Sequence, residues 1–351
     1  MYHTASYDQF QTAKHIPNLD GLRGISILLV MLHHIPVVST HFLQKLQQNG
    51  RLGVALFFAI SGFLITQLAL RELKSTGSFN IKNFYIRRSL RLFPLYYTVL
   101  AVVCILVCVA NVYPADTRKH FAEKLPSYLF YYSNLTGPIS GPFSLLWSLA
   151  VEEQFYLFFS LAFLFFPKTV SFSIFVILTA LQFTMSLWTP YFDDNATLLR
   201  LIGLPGPIFL GVLFAYLFES VSFYNFFSRY FGNRFALTIV ITIVAFYLMT
   251  NPSARFPIPD WMFNTSITLL VVICAICPPL FILGGPIMSY IGKISYGIYL
   301  IHTIVFYGIK GFVSSNSLVV FLIGGLLTIA IASLSYEYYE KYFLNLKKRF
   351  I

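Results

Sequence analysis

The chain has 351 residues, of which 57% are hydrophobic, 18% aromatic and 11% charged, and its mean hydropathy is +0.73. A soluble domain carries about 25% charged residues, so composition excludes a soluble enzyme or binding module and predicts an all-α polytopic membrane protein. The net charge of +11 is read as a topology signal and not as a nucleic-acid surface, because no soluble domain is present to carry one.

The first residues hold Asp8, Lys14 and His15, with Asp20 close by, and show neither an apolar core nor a small-residue cleavage site. The first helix is therefore expected to direct insertion itself. Apolar runs of about twenty residues predict ten spans. They centre on residues 22–40, 52–70, 92–112, 144–166, 170–188, 201–218, 235–250, 262–283, 294–310 and 316–336. With the N-terminus inside, 16 of the 24 Lys and Arg residues fall on the cytoplasmic side. That bias predicts both termini inside, a single membrane domain over 1–336 and a basic cytoplasmic tail over 337–351.

The first run carries Arg23 and His34. Eleven residues make about three turns, so the two side chains share one face roughly 16 Å apart along the axis. Ionisable groups inside a span mark a pathway or a reaction site. The alternative is that Arg23 snorkels to the cytoplasmic surface while His34 sits at the far interface. His33 faces about 100° away from its neighbour.

At the start of the third run, Arg87, Arg88 and Arg91 have the spacing of a helical cluster. Several guanidinium groups together suit a polyphosphorylated ligand. Positive-inside topology or contact with anionic lipid is the stronger reading of basic residues beside a membrane helix. The external segment that follows, Asn111 to Gly141, holds Tyr128, Phe130, Tyr131, Tyr132 and Asn134. Aromatic faces and an amide suit a sugar acceptor, as they also suit an interfacial belt.

The fourth run contains Glu152 and Glu153, and Glu152 lies roughly 12 Å in from Ser144. That depth resembles the depth of His34, and a carboxylate beside an imidazole makes a general base. Adjacent carboxylates point to different faces, so one of them is open to structural pairing. Further on, Ser295, Tyr296 and His302 form a polar group within an apolar segment. His302 reads as a residue that bonds helix to helix.

Cys104 and Cys108, like Cys274 and Cys277, read as small packing residues, and no spacing resembles a metal site. The patterns Asn134-Leu-Thr136, Asn195-Ala-Thr197 and Asn264-Thr-Ser266 are short enough to recur by chance. A transporter lined by Arg23, His34 and Glu152 is the competing class, but no repeated halves are visible.

Five blocks in order resemble the acyltransferase-3 family of integral membrane acyltransferases. They are Leu19-Asp-Gly-Leu-Arg23 with His34; Gly53 to Ile65; Arg87-Arg88-Ser-Leu-Arg91; Trp147 to Tyr156; and Ile291 to His302. The likeness runs from about Ile16 to Glu340. It implies ten helices in a bacterial inner membrane and an acyl-CoA donor, usually acetyl-CoA, drawn from the cytoplasm with no permanently bound cofactor. Transfer would go to a carbohydrate or glycolipid hydroxyl on the opposite face. It also implies a stand-alone form without a C-terminal hydrolase-like domain.

In that scheme Arg23, Arg87, Arg88 and Arg91 bind acyl-CoA, and His34 acts as base or transient acyl carrier with Glu152 as helper. Glu153, Ser295, Tyr296 and His302 are supporting residues, and Tyr131, Tyr132 and Asn134 meet the acceptor. Two departures stand out. Ala55 occupies a position where the family usually has Asp, and Tyr342 follows Glu340-Lys341 where the family often has Pro.

Overall fold

The computed structural model of the chain describes residues 4–13, 15–35, 41–50, 52–136, 143, 145–188, 206–249, 260–309 and 317–350. The Asn195-Ala-Thr197 pattern and Lys14 lie outside the described residues. All regular structure among those described is helical.

In chain order come α1 (Tyr7–Thr12), α2 (Pro17–His33), α3 (His41–Asn49) and α4 (Leu52–Thr76). Next are α5 (Ile81–Cys104) with a π-turn over Ile105–Val109, α6 (Ala115–Leu129), α7 (Leu146–Phe165) and α8 (Lys168–Trp188). Then follow α9 (Gly206–Leu217), α10 (Val221–Phe231), α11 (Arg234–Met249) and α12 (Asp260–Ile276). The last are α13 (Pro286–Lys293), α14 (Ser295–Ile309), α15 (Ser317–Ser335) and α16 (Lys341–Lys347).

A helix coincides with each of the ten apolar runs. Among the described residues, four continuous helical stretches are long and apolar enough to cross a membrane: Leu52–Thr76, Ile81–Val109, Leu146–Phe165 and Leu318–Phe350. A fifth is reached if α9 and α10, bent by 115° at their junction, count as one broken span. Shorter apolar stretches among the described residues lie over Lys168–Thr184, Arg234–Met249, Trp261–Ile276 and Ser295–Ile309.

The chain divides into two compact units. The first comprises Met1–Phe79 and Phe166–Ser295. In it α4 packs closely on α9, and Gly62 explains why: a Cβ there would lie 2.1 Å from the Ile208 carbonyl oxygen. Absence of a side chain lets the two backbones touch. At the N-terminus, Ser6 and Gln9 form a reciprocal cap on α1. Phe10, 1% exposed, then stacks on Tyr224 at 5.2 Å and meets Phe218 edge-on at 5.6 Å. Arg71 donates to the carbonyls of Phe10 (2.6 Å) and Ala13 (2.7 Å), so a basic residue counted as a topology marker also fastens α1. Lys168 pairs with Glu219 in the same unit.

Between α12 and α13 the chain leaves helical geometry, and Asn18 absorbs the break. Its Nδ2 donates to the carbonyls of Cys274, Cys277 and Pro278 at 3.0–3.1 Å. Its Oδ1 accepts from the Leu280 amide at 2.8 Å. Buried backbone groups require such partners. The cysteine side chains at 274 and 277 are buried and unbridged.

The second unit comprises Asn80–Phe165 and Tyr296–Ile351. Asn80 caps α5 through the Asn83 amide at 2.9 Å. Pro94, inside α5, has no N–H and so deprives the Leu90 carbonyl of its helical partner. The hydroxyls of Thr98 and Tyr339 donate to the Pro94 carbonyl at 2.8 and 3.3 Å. Tyr96 and Tyr97 fasten the segment after α5 by donating to the carbonyls of Tyr128 and Leu129. The expected tail after residue 336 begins inside one helical run, since a π-turn over Tyr336–Glu340 joins α15 to α16.

Candidate active site

Two groups of polar residues lie within these apolar units, one in each. In the first unit, Arg23 donates to Asp20 at 3.1 Å, and His15 meets the other oxygen of the same carboxylate at 2.5 Å. Asp20 is fixed in turn by a close helix approach, because a Cβ on Gly292 would lie 1.8 Å from its carbonyl oxygen. The run Asn18-Leu-Asp20-Gly-Leu-Arg23 therefore mixes two tasks. Asn18 and Gly21 build the contact with α12 and the segment that follows it, while Asp20 orients the Arg23 guanidinium.

Three turns further on, α2 ends at His33 and His34 occupies its C-cap. The Nδ1 of His34 lies 2.9 Å from the Val30 carbonyl oxygen. A carbonyl only accepts, so Nδ1 carries the proton and the lone pair of the neutral ring is on Nε2. His33 uses its Nδ1 on the Gln47 carbonyl at 2.8 Å, which ties α2 to α3. The two rings meet edge to face with centroids 5.1 Å apart. Ala55, in place of the usual acid, packs against the apolar core.

In the second unit the three arginines of α5 have three different environments. Arg87 donates to the Phe350 carbonyl at 2.8 Å. The Arg88 guanidinium lies over the rings of Phe84 (5.7 Å) and Tyr156 (5.6 Å) and interacts electrostatically with Glu152. Arg91 interacts electrostatically with the buried Glu340, which also accepts from Ser335 at 3.4 Å. Glu152 accepts from the Tyr156 hydroxyl at 2.5 Å. Tyr156 lies one turn beyond Glu152 on α7, and that spacing is the signal in the sequence that would have identified it.

Glu153 interacts electrostatically with Arg88 and Tyr156, and also with Tyr96, Tyr97, Tyr131 and Tyr296. Tyr296 donates to the Leu92 carbonyl at 2.7 Å. Ser295, in the first unit, donates to Gly292 at 2.8 Å. His302 is fully buried, with Nδ1 at 2.8 and 3.0 Å from the carbonyls of Tyr299 and Ile298. Tyr299 in turn shares a 2.6 Å hydrogen bond with Ser148.

Among the residues expected to meet an acceptor, Asn134 is locked to Gln154 by two reciprocal amide hydrogen bonds of 2.8 and 3.1 Å. Gln154 also donates to the Tyr131 carbonyl at 2.9 Å. It went unremarked in the sequence because a Gln next to two carboxylates carries no motif of its own. Tyr132 is on the surface. Among the described residues no group of three or more His, Cys, Asp or Glu could hold a metal ion.

Residues 16–337 match the acyltransferase domain family. The Staphylococcus aureus (strain COL) protein SACOL0978 is 27% identical over an alignment that covers 97% of this chain and 59% of the relative. O-acetyltransferase OatA of S. aureus (strain NCTC 8325) is 26% identical, with 95% of this chain and 58% of the relative covered. Peptidoglycan O-acetyltransferase OatA of Listeria monocytogenes is 32% identical over 45% of this chain and 25% of its own. The chain thus spans about three-fifths of the length of the first of these relatives. No solved structure matches.

Proposed function

The chain belongs to the acyltransferase-3 family, and from that membership we propose that it is a membrane O-acetyltransferase. It takes acetyl from cytoplasmic acetyl-CoA and passes it to a hydroxyl of an extracytoplasmic glycan or glycolipid. Ten spans with both termini in the cytoplasm, in a bacterial inner membrane, would give each substrate its own face. The names of the relatives, one of them a peptidoglycan O-acetyltransferase, support the acetyl group and the class of acceptor.

The observation that carries the reading is the 2.9 Å contact between His34 Nδ1 and the Val30 carbonyl oxygen. The Nδ1–H is held by Val30, so Nε2 is the basic atom, as a general base requires. Nε2 takes the proton of the acceptor hydroxyl as that oxygen attacks the acetyl carbonyl. The carbon–sulfur bond then breaks, and the imidazolium returns the proton to the departing CoA thiolate. Arg23, Arg88 and Arg91 supply charge for the CoA phosphates. Glu152, engaged by Tyr156 and Arg88, is the proposed helper of the histidine.

The test is a purified sample in detergent given acetyl-CoA labelled in its acetyl group and an N-acetylglucosamine pentamer. Hydroxylamine-labile label on the sugar, matched by free CoA thiol, is expected. Label transfer no greater than that of His34→Ala would overturn the reading.

A further inference from the structure

His34 stands at the end of a helix, where the chain has least support of its own. The last carbonyls of an α-helix have no partner inside it. On its N-terminal side His34 is still held by the last turn of α2, its amide donating to the Met31 carbonyl at 3.1 Å. Ile35, on its C-terminal side, lies past that ladder.

Support there comes from α3. Of its three glutamines, Gln44, Gln47 and Gln48, Gln47 is the buried one, 8% exposed. Its Nε2 donates to the Ile35 carbonyl at 2.6 Å, and its own carbonyl oxygen accepts from His33. One residue of α3 thus engages the neighbours of His34 on both sides. Buried amides are kept where such partners exist. The helix α3 is itself held within the first unit, since Asn49 donates to the Leu248 carbonyl of α11 at 3.0 Å. Gly50, just after α3, brings it against α2: a Cβ there would lie 2.3 Å from the Leu29 carbonyl oxygen and 2.9 Å from His33 Cβ.

The two bonds of Gln47 have different consequences for the imidazole. The His33 bond joins helix to helix at a residue that α2 already fixes. The Ile35 bond fixes the backbone after His34, and with it the direction of the His34 Cα–Cβ bond. Together with the Val30 contact at Nδ1, it places the ring at both ends.

We propose that Gln47 is a positioning residue for acetyl transfer, holding His34 Nε2 through the hydrogen bond to the Ile35 carbonyl at the point where it takes the acceptor proton. This inference rests on the acetyl-transfer reading and deepens it. A reacting group misplaced by about 1 Å costs on the order of 10²-fold in rate, while substrate binding is spared.

The test uses the full chain in detergent, labelled acetyl-CoA and the N-acetylglucosamine pentamer, with Gln47→Met, Gln47→Asn and His33→Ala. Methionine keeps the length of the side chain without a donor, and asparagine keeps the amide but stops one methylene short of Ile35. Each Gln47 variant is expected to lower kcat about 10- to 100-fold, with the KM for either substrate within about twofold of the parent. His33→Ala breaks the other bond between the same two helices, so it should lower Tm by a similar amount while kcat per folded molecule is largely kept. Equal losses of kcat in Gln47→Met and His33→Ala, in step with Tm, would make Gln47 a structural contact only and overturn the proposal. Should the methionine protein fail to accumulate, the asparagine variant decides: the same loss of kcat supports the proposal and a parent-like kcat overturns it. A parent that transfers acetyl while the folded Gln47 variants keep its kcat overturns the positioning role alone. A parent that transfers nothing overturns the acetyl-transfer reading and the positioning role with it.

Discussion

The Nδ1 of His34 lies 2.9 Å from the carbonyl oxygen of Val30, one turn back on the helix that His34 terminates. This contact decides which nitrogen can act as a base, and it orients the ring from its own helix.

His34→Ala is therefore expected to abolish acetyl transfer while acetyl-CoA binding and expression persist. Loss of a general base costs about 10²- to 10⁴-fold, read as label on the pentamer per unit of folded protein. His33→Ala is the contrasting variant. It removes the hydrogen bond to Gln47, so about 1 kcal/mol of stability should go with turnover per folded molecule largely kept. A fully active, well-folded His34→Ala protein would exclude the histidine from the chemistry.

The arginines of α5 should separate by role. Arg88→Ala and Arg91→Ala are each expected to weaken acetyl-CoA binding about tenfold or more in calorimetry. Lysine at either position should restore only part of this, because it keeps the charge and loses the planar fork. Arg87→Ala should act mainly on stability, since its guanidinium holds the Phe350 carbonyl. Removing the last two residues should reproduce the stability loss of Arg87→Ala. Equal loss of acetyl-CoA affinity at all three positions would contradict this division.

Asn18→Ala should be the most damaging single change away from the chemistry. One amide serves three carbonyls and one backbone N–H, and buried groups left unpaired cost about 1–3 kcal/mol each. The expected result is a loss of about 3 kcal/mol or more in reversible unfolding, or a failure to accumulate folded protein. Asn18→Asp should fail similarly, because a carboxylate cannot donate to the three carbonyls. Stability within about 0.5 kcal/mol of the parent would show that the break between α12 and α13 is held by other contacts.

Topology is tested by reporter fusions. Fusions after Gly77 and after Lys348 are expected to read cytoplasmic, and one at Lys119 external, as the distribution of Lys and Arg requires. An external signal at Gly77 would invert the membrane orientation and place the arginines of α5 on the wrong side for a cytoplasmic donor.

The sequence by itself determined the class of the protein, its helical runs and the residues worth suspecting. Hydropathy does this because the cost of placing a side chain in hydrocarbon is a local property, which a window of about twenty residues captures. Ordered motifs named His34, Glu152, Glu153 and the three arginines as a group. Partner assignment needed the tertiary structure, because it depends on residues distant along the chain. Arg87 ends on Phe350 and Asn18 on Cys274, Cys277 and Pro278, pairings that no local pattern encodes. Arg71 carried the same positive-inside signal as any other arginine until the carbonyls of Phe10 and Ala13 came within 2.7 Å of it. Glu152 and Glu153 are identical in type and adjacent, so only the neighbours that α5 and the segment around Tyr131 bring to each could tell them apart. The short helices α1, α3, α6, α10, α13 and α16 were hidden for a related reason. They are too short to form on intrinsic propensity and exist through packing and caps, and those forces depend on the fold that surrounds them.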